Sequence, residues 1–406
     1  MSRPQIPLPL VVLAIGSFGI GMTEFVIMGI LPNVADDLGT TIPQAGLLIS
    51  AYALGVVVGA PIITVVATKV ERKKFLIVLM GAFTVANLLS VFAPDHNTLL
   101  ISRFLSGLPH GAYFGAAAVV GASMVAFDRR ARAIAVVMAG LTLATVFGVP
   151  VGTLVAQQVG WRYTFLIVAA IGLLTMVAIH RTVPNQKEKI ATTSPRAELR
   201  ALGNRRVVMV LLTGTIGFGG LFACYAYLTP ILTDVTGFQP TTVAFILALT
   251  GIGFTTGNFV GGHLADRWPH NGLYFAFSSL SVALIFMWVS VENPVMAVTA
   301  AFLIAICAGQ ISPILQRMLL DGAQEAPSLA SALHHSAFNI ANANGAYLGG
   351  LAMSYGLGLS SPILVGLGLA LIGLLLSVGV AWAHKDHPLP TMASQATSEP
   401  EPVPTK

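Results

Sequence analysis

Gly16-Ser17-Phe18-Gly19-Ile20-Gly21 returns 198 residues later as Gly214-Thr215-Ile216-Gly217-Phe218-Gly219. The same offset carries Pro32 to Pro230, Gly39 to Gly237, Gly55 to Gly253 and Gly59 to Gly257. Later in each half, Gly148 and Gly152 match Gly345 and Gly349 at an offset of 197. Each copy holds about six apolar segments, so the chain reads as two like halves in the same orientation. Parallel membrane repeats of this kind enclose one site between them and rock against each other around it. Movement of a solute across a membrane is the expectation before any chemical motif is read.

Composition agrees. Hydrophobic residues make up 55% of the 406 and charged residues 9%, against roughly 25% charged in soluble chains. The apolar runs are about 18 to 25 residues long, enough to cross a bilayer as helices and far longer than strands. The spacing predicts spans near 8–32, 44–67, 74–93, 98–123, 131–157, 163–180, 206–230, 240–262, 271–290, 294–316, 327–352 and 360–383. This is an all-α membrane protein of twelve transmembrane helices. Residues 1–180 form an N-terminal six-helix bundle and 206–383 a C-terminal one. A cytoplasmic linker at 181–205 joins them, and a disordered tail follows at 384–406. Pro61, Pro109, Pro150 and Pro313 are expected to kink their helices.

The net charge of +5 does not imply nucleic acid, because its distribution follows the membrane. Nineteen of the 21 Lys and Arg fall in the tails and even-numbered loops; Arg162 lies on the opposite side and Arg103 inside a span. The positive-inside rule then places both termini in the cytoplasm. Cys224 and Cys307 both lie in predicted spans and suggest neither a disulfide framework nor a metal site. The first apolar run lacks a small-residue cleavage site, so it is read as the first span.

Glu24 is the acidic residue well inside a span. A charged carboxylate at mid-bilayer costs on the order of 2.5–3.5 kcal/mol, so it requires a partner, water or a proton. Proton coupling and a structural carboxylate locked to one partner are both open. Counted from the outer ends of spans 1 and 4, Glu24 and Arg103 lie at comparable depth and can meet directly or through water. His110, near mid-membrane, is the third candidate: it can relay protons or contact substrate, and a hydrogen-bonded packing histidine is equally open. In span 11, His335, Asn339 and Asn342 share one helical face; lining of a central cavity is expected, with helix–helix hydrogen bonding as the alternative. Phe25, Tyr113, Phe114, Phe222, Tyr225 and Tyr227 are the aromatic candidates for contact with an amphipathic solute, each also open to a packing or lipid-facing role. No G-x-x-x-x-G-K-[ST] loop is present, which disfavours ATP-driven transport, and no nucleophile–base motif suggests an enzyme.

Taken together, these features resemble the major facilitator superfamily. Gly262-His263-Leu264-Ala265-Asp266-Arg267 is similar to its loop signature between spans 8 and 9. In the first half the matching positions hold Thr64, Thr68, Lys69, Glu71, Arg72 and Lys73. The resemblance implies a cytoplasmic gate built by Asp266 and Arg267, with Lys69 and Arg72 serving the degraded copy. Arg103-x-x-x-Gly107 resembles the family's element associated with proton transfer. Gly140 with Gly148-Val149-Pro150-Val151-Gly152 resembles its antiporter motif, with Val149 between the usual adjacent Gly and Pro. Gly21-Met22-Thr23-Glu24-Phe25-Val26, Leu105-Ser106-Gly107-Leu108-Pro109-His110-Gly111 and Gly160-Trp161-Arg162-Tyr163-Thr164-Phe165 are most similar to the drug:proton antiporter group and its arabinose-exporter-like bacterial branch.

The resemblance implies a monomeric exporter in a bacterial inner membrane, driven by the proton gradient and without a cofactor. Its partners would be a small amphipathic solute, protons and the bilayer. A sugar, nucleoside or metabolite exporter is the alternative within transport. A non-transporting sensor is disfavoured by inter-span loops of at most about 25 residues, too short for an output domain.

Overall fold

A computed structural model describes residues 7–66, 70–185, 204–322 and 327–385. Lys69 and nearly all of the expected linker and tail lie outside the described residues. The remainder is helical, in twelve segments labelled here α1 to α12. The first six are α1 (Leu8–Asp37), α2 (Ile42–Val66), α3 (Arg72–Val91), α4 (His96–Gly107 and His110–Ser123), α5 (Arg130–Leu143, a wider π turn at Ala144–Gly148, then Val149–Gln158) and α6 (Trp161–Thr182). The second six begin with α7 (Arg205–Leu212, running through two π turns to Val235) and α8 (Pro240–Arg267). They continue with α9 (Pro269–Ser290), α10 (Pro294–Gly309 and Ile311–Gly322), α11 (Pro327–Ser354) and α12 (Ser361–Lys385).

Ten of these are long and apolar enough to cross a membrane. The other two are α4, whose pieces are each too short alone, and α11, which carries His334, His335, Asn339, Asn342 and Asn344 within its length. The outside of the bundle exposes Val85, Leu174, Val289 and Leu375, the surface a helix bundle offers to lipid rather than to water.

Prolines explain the interruptions. Pro109 has no N–H to give to Leu105, so α4 stops at Gly107 and restarts at His110. Pro313 has the same effect in α10, which breaks between Gly309 and Ile311. Pro150 is absorbed by the π turn that precedes it in α5. Pro61 does not interrupt α2, whose helix continues to Val66. Pro32 likewise leaves α1 intact, so the first helix runs five residues beyond the expected end at 32.

Within each half the helices approach through glycines. A side chain at Gly107 would overlap the Tyr52 carbonyl, and one at Gly140 would overlap the Ala14 carbonyl. These contacts seat α4 on α2 and α5 on α1, the close packing that small residues permit in lipid. Between the halves, three side chains donate to backbone carbonyls. Ser50 Oγ bonds to Ala343 O at 3.0 Å, Thr229 Oγ1 to Met28 O at 3.0 Å, and Gln157 Nε2 to Pro240 O at 2.9 Å. Among the described residues, all hydrogen bonds joining the halves lie toward the end of the bundle remote from the termini.

Candidate functional site

The buried charge sits at the centre of the N-terminal half, where α1, α2, α3, α4 and α6 meet. Glu24 lies near the middle of the extended α1 and is 6% exposed. Arg103, in the first piece of α4, is 0% exposed. Sequence counting placed the two at one depth in the outer part of the membrane. The structure brings them to the same depth by a different route, because α1 overshoots its neighbours and puts Glu24 near its midpoint.

Arg103 is held by the residue before Glu24. One guanidinium nitrogen donates to Thr23 Oγ1 at 2.9 Å and the other to the Thr23 carbonyl at 2.9 Å. Thr23 Oγ1 in turn donates to Asn87 Oδ1 of α3 at 2.7 Å, and Asn87 Nδ2 donates to the Phe83 carbonyl at 2.8 Å. The guanidinium carbon stands 4.5 Å from the Tyr52 ring centre and 5.4 Å from that of Phe165. Two charge-assisted hydrogen bonds and two aromatic neighbours compensate a fully buried cation.

Glu24 is differently placed. Its Oε2 lies 3.9 Å from His110 Nδ1, beyond hydrogen-bond length. Among the described residues no hydrogen bond reaches its carboxylate. His110 Nδ1 instead pairs with the Tyr52 hydroxyl at 3.0 Å. The Pro109 break sets His110 in the first turn of the second α4 piece. A buried carboxylate, an imidazole and a phenol are thus adjacent, with the carboxylate unbonded.

A line of rings leaves this cluster and crosses to the other half. His110 lies 5.0 Å from Phe114, and Phe114 lies parallel to His335 of α11, 6° between planes and 6.2 Å between centres. His335 neighbours His334 at 5.8 Å, His334 packs on Phe338 at 4.3 Å, and Phe338 on Phe218 at 4.1 Å. Phe218 meets Phe222 edge-on at 5.4 Å. His334 also pairs with Ser312 at the α10 break, Nε2 to Oγ at 3.1 Å.

The predicted site residues therefore divide. Glu24, Arg103, His110, Phe114 and His335 are brought into one neighbourhood, and Phe222 ends the ring line. Phe25, next to Glu24, is half-buried against the core. Asn339 and Asn342 stand on the His335 face of α11 and are 4% and 1% exposed. Two expected cavity aromatics are not in this group. The Tyr113 hydroxyl donates to the Leu13 carbonyl at 2.9 Å, fixing α4 to α1. Tyr225 turns into the C-terminal half, edge-on to Phe254 of α8 and beside a small apolar pocket walled by Ala301 and Ala305. Tyr113 nevertheless meets Phe114 edge-on at 6.2 Å, at the margin of the group.

The gate residues differ from expectation as well. Asp266 and Arg267 are exposed at the end of α8, and among the described residues no ion pair or hydrogen bond engages them, so the closing contact expected of them is not made here. Arg72 is buried at the start of α3. The Gly140, Gly148, Pro150 and Gly152 motif is a packing seam: the three glycines face Ala14, Phe18, Met22 and Val26 of α1, and Pro150 is buried between them. Sequence reasoning missed Thr23, Tyr52 and Asn87. The Thr23–Glu24 adjacency and the Tyr52–Gly55 helical turn were visible, but hydroxyls and amides are too common in such helices to stand out.

The model of the Major Facilitator Superfamily matches residues 13–333. The chain belongs to the Major Facilitator Superfamily. Relatives within this superfamily include the inner membrane transport protein YdhP of Escherichia coli strain K12, 41% identical over 92% of this chain and 95% of that one. The chloramphenicol resistance protein of Streptomyces lividans is 31% identical over 88% of this chain and 92% of its own length. In fold, a solved bacterial homologue of the human lysosomal transporter Spinster is similar at a TM-score of 0.74 and 16% identity, covering 93% and 97% of the two chains. A major facilitator protein of this kind is a multi-pass membrane transporter of small molecules and not an enzyme. The two-half repeat of the superfamily is the one read from the 198-residue offset.

Proposed function

We propose that the protein is a proton-coupled exporter of small amphipathic molecules in a bacterial inner membrane, with both termini in the cytoplasm. It works as a monomer and needs no cofactor beyond the proton gradient. The observation that carries this reading is the contrast between two buried charges. Arg103 is spent on Thr23, while Glu24 is held by no hydrogen bond among the described residues. A structural carboxylate would be bonded on its oxygens; a carboxylate that exchanges protons must be left accessible to them.

In this reading, Glu24 takes a proton when the site opens to the outside. The fixed Arg103 charge favours giving it up again when the site opens inward, and His110, 3.9 Å away, receives or relays it. The bonds of Ser50, Thr229 and Gln157 hold the outer end shut in the conformation described. Export, rather than uptake, is supported by the Gly148–Gly152 motif and by a relative named for chloramphenicol resistance.

The test is proteoliposomes with an imposed pH gradient and an internal pH dye, challenged with drugs, sugars and nucleosides. Wild-type protein should give solute-dependent proton flux, and Glu24→Gln should not. Equal flux from both proteins would make Glu24 structural and move attention to His110.

A further inference from the structure

Among the described residues, three polar atoms on the α11 face have no hydrogen-bond partner: Asn342 Nδ2, Asn342 Oδ1 and Asn339 Oδ1. Both side chains are more than nine-tenths buried. Asn339 does give its Nδ2 to the His335 carbonyl at 3.0 Å, which fixes the orientation of its free oxygen. The face is directed at the other half. His335, one turn before Asn339, lies against Phe114, and the carbonyl of Ala343, one turn beyond it, accepts from Ser50.

Buried polar groups are almost always satisfied, so one unmet donor and two unmet acceptors on a single face call for an explanation. Packing does not give one, since an apolar residue of similar size would fill the space without the desolvation penalty. Charge narrows the choice of ligand. The face itself carries no formal charge: its polar groups are the Asn339 and Asn342 amides beside His335. A charged ligand seated on these amides would be held by dipoles alone, with no opposite charge on α11 to repay its desolvation. The parallel Phe114 and His335 rings, one from each half, meet one helical turn before Asn339.

Building on the transport reading above, we infer that the site takes an uncharged solute with a flat ring and an amide- or hydroxyl-type hydrogen-bonding group, held by Asn339 and Asn342 from the C-terminal half. Asn342, with both amide atoms free, is the principal contact. Asn339 supplies one further acceptor, so a solute with donors on adjacent atoms fits best. Lipophilic cations are discriminated against.

Binding, rather than flux, tests this, so its failure is separable from failure of proton coupling. Thermal unfolding of the purified full-length protein in detergent would be followed with a set of neutral aryl amides and aryl glycosides, and with tetraphenylphosphonium and ethidium as permanent cations. Neutral compounds should stabilise the wild type and the cations should not. Asn342→Leu should melt at a higher temperature than wild type without ligand, because an unmet polar group has gone. It should also bind the neutral compounds at least about tenfold more weakly. Asn342→Asp should gain stabilisation by tetraphenylphosphonium. Stabilisation by the cations alone, no response to any neutral compound, or a lower melting temperature for Asn342→Leu with unchanged binding would each overturn the inference.

Discussion

Arg103 is joined twice to Thr23, through the hydroxyl and through the main-chain carbonyl, while the neighbouring Glu24 has no hydrogen bond among the described residues and only His110 at 3.9 Å. One residue of α1 thus anchors the cation and the next carries the unbonded carboxylate. Each hydrogen bond to a charged group contributes roughly 1.5–3 kcal/mol. Arg103→Ala should lower thermal stability in detergent by about that amount per bond lost, and it also leaves Glu24 without a balancing charge. Adding Glu24→Gln to Arg103→Ala should recover part of the loss. Strictly additive effects in the double mutant would show that the two charges do not sense each other.

The glycine seams make an opposed pair of predictions. Gly107→Ala would drive a methyl into the Tyr52 carbonyl and separate α4 from α2. A backbone acceptor cannot rotate away, so the expected penalty is about 1–3 kcal/mol, read as lower folded yield and melting temperature. Gly115, on the same helix, faces open space. Gly115→Ala should be neutral or stabilising by about 0.5–1 kcal/mol, the helix propensity difference.

The bonds that join the halves should govern which side is shut. Ser50→Ala and Thr229→Val each remove a side-chain donor worth about 0.5–1.5 kcal/mol. Together they should shift the conformational balance by about 5- to 150-fold. Spin labels on cysteines placed at Asp36 and Asp234, exposed matching positions of the two halves, would report this as a larger long-distance population. The native Cys224 and Cys307 are both buried, which keeps labelling confined to the added sites. An unchanged distance distribution would remove these bonds from the gating step.

Asp95 caps α4 by accepting from the Thr98 backbone N–H at 2.8 Å and the Thr98 hydroxyl at 3.1 Å. These bonds hold its carboxyl below the ordinary value of 3.8. A group whose folded value is depressed stabilises above its unfolded value and loses that contribution as pH falls through the folded one. Asp95→Ala should therefore melt below wild type at neutral pH, and the two curves should converge below about pH 4. A gap that persists in acid would assign the difference to something other than the cap.

Much of the architecture was legible because its signals are long and redundant. Twelve apolar runs, a repeated glycine pattern and proline breaks at 109 and 313 do not depend on knowing which helices touch. Glu24, Arg103 and His110 were legible for the opposite reason, as rare polar groups in apolar surroundings. What the sequence concealed was pairing. That Thr23 holds Arg103, that Tyr52 holds His110, and that Tyr113 and Tyr225 turn to sister helices are facts about neighbours on other segments. Local pattern carries no signal for them. The helix end at Asp37 was also hidden, because its partners are Trp161 and Arg162, far away in sequence.

The acceptors that join the halves are the carbonyls of Met28, Ala343 and Pro240, none of them a side chain. A carbonyl is present whatever residue carries it, so on the hydrogen-bonding side only Ser50, Thr229 and Gln157 need to be kept, together with small residues such as Gly46 and Gly251 where the halves approach closely. One half can then accumulate substitutions, or be exchanged for that of a cousin, without unlearning how to grip the other. New cargo preferences become accessible by drift in a single half, and chimeras joined between residues 185 and 204 are the way to look for them.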